Sequence, residues 1–186
     1  MSSEIKQQLR MQYLKILKNI DSKQKEQWDG SILQQFINSK YFHEANTIAL
    51  YFSLPYEVET TKIIKILLEN KKKVALPRMT EQNLVFYYIN SLDELVVDNQ
   101  WEIHQPKDTN QVVETKDLDL IILPLLGFNK KNYRLGHGRG YYDRFLSTPN
   151  FKALKLALAY KIQEIQLDVF FVDNWDVTFD ALITNS

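Results

Sequence analysis

The chain of 186 residues carries 23 Lys and Arg against 23 Asp and Glu, so its formal net charge is zero. That balance excludes a nucleic-acid binder driven by a basic surface, and the absence of cysteine excludes disulfides, zinc–thiolate centres and a Cys nucleophile. Apolar residues at 45% and charged residues at 25% suit one globular domain with a real core.

The N-terminal stretch MSSEIKQQLRMQYLK lacks the apolar core of a signal peptide. No stretch approaches the roughly 20 apolar residues of a membrane span. The expectation is a cytoplasmic protein that engages neither nucleic acid nor membrane. Residues 3–20 place Ile5, Leu9, Tyr13, Ile16 and Ile20 at helical spacing. Residues 24–39 read as a second helix with Trp28, Ile32, Leu33, Phe36 and Ile37 on one face. Residues 47–52 form a compact apolar run, a buried strand. A helix is expected over 60–69 and a strand over 73–76 that stops at Pro77.

Residues 85–89 are aromatic and β-branched and read as a strand, and 92–97 as a short helix. The polar segment 99–116 lacks periodicity and is expected to be a loop. Residues 118–123 form a nearly all-apolar strand before Pro124, and 141–146 open a helix. Residues 156–160 and 179–184 are the last central strands, with a small edge strand over 169–172. Strands alternating with helices predict an α/β protein: one domain over 1–186, a three-layer Rossmann-like fold with a mainly parallel central sheet.

Glycine is scarce, with 5 in the chain, and four of them lie between Gly127 and Gly140. Three alternate as Gly136-His137-Gly138-Arg139-Gly140. Glycine concentrated in one loop implies positive φ angles or a backbone that a ligand must approach closely. The loop precedes a helix and follows an apolar strand, the usual place for anions in open α/β sheets. Arg134, Arg139 and Arg144 surround it as donors for phosphate oxygens, and Asp143 is a carboxylate suited to magnesium. The spacing is neither the dinucleotide fingerprint nor the Walker loop. A tight structural turn with solvated arginines remains the alternative.

The stretch Leu123-Pro124-Leu125-Leu126-Gly127-Phe128 followed by Tyr133-Arg134-Leu135-Gly136-His137-Gly138-Arg139-Gly140-Tyr141-Tyr142-Asp143-Arg144-Phe145-Leu146 resembles the signature of the 5-formyltetrahydrofolate cyclo-ligase family. Further matches are Lys6 and Arg10 in the first helix, Glu57-Val58-Glu59-Thr60, Pro77-Arg78, and Asp176 ahead of the last strand. The resemblance implies an ATP- and Mg2+-dependent ligase that cyclises 5-formyltetrahydrofolate to 5,10-methenyltetrahydrofolate. ATP phosphorylates the formyl oxygen, N10 attacks the activated carbon, and ADP and phosphate are released. A monomer is expected, with a weak dimer as the alternative.

The resemblance also implies roles. Lys6, Arg10 and the loop Arg134, Leu135, Gly136, His137, Gly138, Arg139, Gly140, Tyr141 and Tyr142 would hold the nucleotide. Arg134, Arg139 and Tyr141 would act on the reacting groups. Leu54, Glu59, His137 and Tyr141 would contact the folate, Glu59 through the pterin N–H groups. Asp143 and Asp176 would hold magnesium. For Lys6 and Arg10 the competing reading is a solvated pair on a polar helix face, for Glu59 a carboxylate at a helix N-terminus, and for Tyr142 a core ring. The chain departs from the family pattern at His137, where Arg or Lys is common, at Gln105 in place of Glu, and at Trp175 in place of His. The other functions considered are a phosphosugar isomerase or acyltransferase relative, a nucleotide-binding module without turnover, and a hydrolase pairing His137 with Asp143.

Overall fold

The computed structural model describes residues 2–98, 103–166 and 172–185. Helix α1 (Ser2–Lys18) buries Leu9, Tyr13 and Leu17, spaced four apart along one face. The chain then turns at Asp21, whose carboxylate accepts from the amides of Lys23 and Gln24 and so caps α2 (Ser22–Ile37). Ile32 and Phe36 of α2 are fully buried, each worth about 1.5–3 kcal/mol of apolar transfer. A five-residue helix, α3 (Lys40–Glu44), capped by Ser39, follows without a sequence signal strong enough to separate it from α2.

Six strands form the main sheet, in the order β10-β9-β6-β1-β2-β3. They are β1 (Thr47–Ala49), β2 (Lys73–Met79), β3 (Leu84–Ile89), β6 (Leu120–Leu123), β9 (Leu154–Ala159) and β10 (Ala181–Thr184). All neighbours are parallel except β2 and β3, which form an antiparallel hairpin. Alternation along the strands sorts the side chains by size. Ile48, Val74, Leu76, Leu120, Ile122, Leu156 and Leu158 face the core shared with α1, α2 and α4 (Thr61–Glu69). Ala49, Ala75, Ala157 and Ala159 face the other side, where the short helix α5 (Tyr141–Leu146) packs with Phe86 and Phe179. The helices thus lie on both sides of one sheet, as the α/β reading requires.

Several local expectations need correction. Residues 92–97 are not one helix: a 3₁₀ turn at Leu92–Glu94 leads into strand β4 (Leu95–Asp98). The segment read as loop contains β5 (Ile103–Pro106), which pairs antiparallel with β4. Four residues with two prolyl or polar neighbours carry too little period-2 signal to be seen alone. A further small hairpin, β7 (Gly127–Phe128) with β8 (Arg134–Leu135), stands between β6 and the glycine loop. The edge strand expected over 169–172 falls largely outside the described residues.

Pro77 does not end β2, which runs on to Met79 with Pro77 opposite Phe86. What ends there is the pairing with β1. The Leu50 amide donates to the Ala75 carbonyl at 3.0 Å, and the next donor on that edge of β2 is residue 77. Proline has none, so β1 and β2 part while β3 keeps β2 extended. The cleft that opens faces the carboxyl ends of β1 and β6, where the chain order reverses across the sheet.

Gly30 lies mid-way along α2 with nothing within 4 Å of a built Cβ. Gly30→Ala is therefore expected to raise stability by up to about 1 kcal/mol through helix propensity. Chemical denaturation with helix signal as the readout checks this; a lower midpoint would contradict the open environment.

Candidate active site

The cleft is a cavity of about 490 Å³, within the usual range for small-molecule sites. Every residue that the sequence nominated lines it except Glu59 and Arg144. Its lining is of two kinds. One is aromatic and apolar, with Phe52, Leu54, Met79, Leu84 and Ile103. The other is ionic, with Lys6, Arg10, Arg134, Asp143, Asp173 and Asp176.

The glycine loop is built for its path. Gly138 has φ +97° and Gly140 φ +67°, a region that side chains with a Cβ rarely adopt. At Gly138 a Cβ would also come within 3.1 Å of the Arg10 guanidinium. Arg10 Nε donates to the Gly136 carbonyl at 3.0 Å, so Arg10 supports the loop from below as well as lining the cavity. Arg144 does not line the cavity. It donates to the carbonyls of Arg139 and Gln82, each at 3.0 Å, and so clips the loop to the β2–β3 turn.

Arg134 on β8 is buried. Its two terminal nitrogens donate to Asp143 Oδ1 at 3.2 and 3.0 Å, and the guanidinium lies over the Tyr142 ring. Burial pulls its pKa down from the usual arginine value, opposed by the negative charges of Asp143 and Asp176. Its Nε is buried with no acceptor among the described residues. An unpaired buried donor costs about 1–3 kcal/mol and is characteristic of functional sites. Tyr142 packs against Phe86, as its core reading expects, and also lines the cavity. Burial, with Glu57 nearby, raises its hydroxyl pKa well above that of free tyrosine.

Asp143 Oδ1 also accepts from the Val177 amide at 3.1 Å, which draws the segment carrying Asp176 to the loop. Asp173 and Asp176 lie on one turn, closed by the Asp176 amide on the Asp173 carbonyl at 3.0 Å. Lys6 does not fit the competing reading of a solvated polar face, since it is 6% exposed. Its Nζ donates to Asp173 at 2.7 Å and Asp176 at 2.6 Å. Among the described residues no three His, Asp or Glu groups converge to hold a metal on their own.

Glu59 is placed at the start of α4, where its Oε1 accepts from the Lys62 amide at 3.0 Å, the helix-terminal role and not a cavity wall. Glu57, two residues earlier, takes the place in the cavity. Its Oε2 accepts from the Leu54 amide at 2.8 Å and its Oε1 lies 2.9 Å from His137 Nε2. His137 therefore pairs with Glu57 and not with Asp143, which removes the geometric basis of a His–Asp hydrolase. Behind Glu57, Asp29 accepts from the Glu59 amide at 3.0 Å and from the Tyr160 hydroxyl at 2.6 Å, fixing the 57–60 segment. Tyr141 lines the cavity, but its hydroxyl donates to the Thr80 carbonyl at 3.0 Å. That bond anchors the ring at the cavity wall.

Sequence reasoning missed Phe52, whose ring stacks on His104 with centroids 4.8 Å apart. Asp173 also went unnoticed, and Gln105, singled out only as a departure from the family pattern, is buried and accepts from the Met79 amide at 3.3 Å. The strand that carries Gln105 left no signal of its own in the sequence. Asp173 was open to notice, three residues before Asp176 on a turn-rich segment.

An open α/β sheet with a cavity at its switch point, lined by both ionic and aromatic groups, defines a small-molecule enzyme. A model of the 5-formyltetrahydrofolate cyclo-ligase family matches residues 2–185. The 5-formyltetrahydrofolate cyclo-ligase of Haemophilus influenzae is 35% identical, covering 98% of this chain and 100% of its own. That of Escherichia coli K12 is 33% identical over 76% of this chain and 79% of its own. Two solved 5,10-methenyltetrahydrofolate synthetases share the fold. The Mycoplasma pneumoniae structure has TM-score 0.79 and 27% identity, covering 97% of this chain and 99% of its own. The Aquifex aeolicus structure has TM-score 0.83 and 28% identity, covering 96% and 88%. This chain belongs to the 5-formyltetrahydrofolate cyclo-ligase family and is a ligase of folate one-carbon metabolism. No helix among the described residues is long and apolar enough to cross a membrane.

The loop geometry sets an opposed pair of expectations for Gly138→Ala. Positive φ and the Arg10 contact should reduce turnover by at least about tenfold, with a stability loss of about 1–2 kcal/mol from the strained backbone. Initial rates per folded molecule and melting temperatures separate the two effects. Near-native rates in the folded variant would remove the loop from the site.

Proposed function

We propose that the protein converts 5-formyltetrahydrofolate to 5,10-methenyltetrahydrofolate with ATP and Mg2+, releasing ADP and phosphate. The observation that carries this reading is one cavity with two kinds of lining. A glycine loop with Arg10, Arg134 and Arg139 shares one cavity with Phe52, Leu54 and a buried carboxylate, Glu57. The cationic lining suits a triphosphate and the aromatic lining a flat pterin, so one cavity can hold both reacting groups.

The chemistry asks mainly for positioning and charge stabilisation. Transfer of the γ-phosphoryl group to the formyl oxygen makes its carbon electrophilic. N10 attacks that carbon, the five-membered ring closes, and the oxygen leaves with phosphate. Arg139 and the loop amides border the phosphates, and Arg10 keeps the loop in place. Arg134 orients Asp143 and contributes a buried positive charge beside the transferred group. Glu57, in the role first expected of Glu59, accepts hydrogen bonds from the pterin N–H groups. His137 holds Glu57 by its carboxylate.

The carboxylates fit a magnesium ion because they already hold cations: Lys6 sits on Asp173 and Asp176, and Arg134 on Asp143. Asp143 and Asp176 would hold the metal, which neutralises phosphate charge when bound. Magnesium takes one or two carboxylates and completes its shell with phosphate oxygens and water, consistent with so few protein donors. The protein is proposed to act as a cytoplasmic monomer.

Incubation with 5-formyltetrahydrofolate, ATP and Mg2+, followed by absorbance of the methenyl product, tests the reading. Product should form only when all three are present. Chelation of the metal should abolish turnover, and turnover without ATP would sink the reading.

A further inference from the structure

We propose that Lys6 is a resident counter-cation that keeps the Asp173–Asp176 carboxylates closed to a free divalent cation, and that a metal-bound nucleotide displaces it onto phosphate. This rests on the ATP- and magnesium-dependent reading above, and assigns Asp173 to that site beside Asp176.

Lys6 comes from α1 and reaches across to a turn more than 160 residues away in the chain. Its ammonium is buried between two carboxylates at 2.7 and 2.6 Å. The turn itself is ordered by the Asp173 amide on Asp176 Oδ2 at 2.8 Å, so both carboxylates are presented together. A lysine stem has four flexible carbons and a compact charge, which allows the ammonium to move between anions without moving the helix.

The charge balance of the cavity makes that movement necessary. Four cations line it, Lys6, Arg10, Arg134 and Arg139, against four carboxylates, Glu57, Asp143, Asp173 and Asp176. A metal-free triphosphate would enter a site with no net positive charge. A divalent cation entering alone would expel Lys6 from its two partners and leave a buried ammonium unpaired, which is costly. Arriving together, the metal takes the carboxylates and the phosphates take Lys6. With no three-ligand protein site among the described residues, phosphate oxygens are also needed to complete the metal's shell. Metal and nucleotide therefore favour each other's binding, by the same factor in both directions.

The test titrates Mn2+ into nucleotide-free protein and follows the free-ion signal by electron paramagnetic resonance. Wild-type protein should bind Mn2+ weakly alone and far more tightly with a non-hydrolysable ATP analogue. Lys6→Met and Lys6→Gln, checked for folding by circular dichroism, should bind Mn2+ without nucleotide at least about tenfold more tightly than wild type, because a neighbouring positive charge is gone. The same variants should bind the nucleotide more weakly. Asp173→Asn introduced into Lys6→Met should cancel the gain. Tight Mn2+ binding by nucleotide-free wild type overturns the proposal, as does an unchanged Mn2+ affinity in a folded Lys6 variant. Those results would leave the ligase reading standing if the wild type still makes methenyl product; absence of ATP-dependent product removes the reading itself.

Discussion

The bond between Arg134 and Asp143 is the constraint on which the site depends. It ties the strand before the glycine loop to the helix after it, across nine positions of the chain. Ordering a free loop costs about 1–2 kcal/mol per residue in backbone entropy. Here the ends are fixed by a buried ion pair, the reversals fall on two glycines of positive φ, and Arg10 fills the space beneath. The same Asp143 oxygen takes the Val177 amide, so one carboxylate also sets where the Asp173–Asp176 turn lies.

A buried ion pair is weak support for stability in general, since desolvation offsets most of the attraction. Its persistence at this point is better explained by geometry. Arg134 is held by three different things: a carboxylate, an aromatic face and the field of Asp176. Removing any one leaves a charge in a poor environment, and the loop path would shift with it. The orphaned Nε shows that this arrangement does not satisfy the guanidinium fully, as it would if the pair served folding alone.

Much of this was legible in the chain. The helices α1, α2 and α4 and the central strands follow from apolar spacing, because burial on a helix face or in a parallel sheet leaves a periodic trace. The glycine loop was legible because glycine is so rare elsewhere. What was hidden depends on contacts between distant segments. Nothing local marks Ile103–Pro106 as a strand; only its partner Leu95–Asp98 makes it one. Glu57 and Glu59 are two residues apart and chemically alike, and only the Asp29–Tyr160 network behind them decides which enters the cavity. Lys6 sits at a position that helical periodicity alone marks as polar, and its burial is explained by two acids near the other end of the chain.

The cavity also records a division of labour across the sheet. Its aromatic and apolar lining comes from the segment after β1, the end of β2, the start of β3 and β5, while its ionic lining comes from β8, α5, α1 and the last turn before β10. Pro77 keeps the first wall open by denying β1 its next rung. The His137–Glu57 bond then crosses from the loop to the β1 side at 2.9 Å. A transfer between two bound substrates gains most when neither can drift from the other. A contact joining the two walls directly would serve that need: a shift of the glycine loop would be felt at the Glu57 carboxylate.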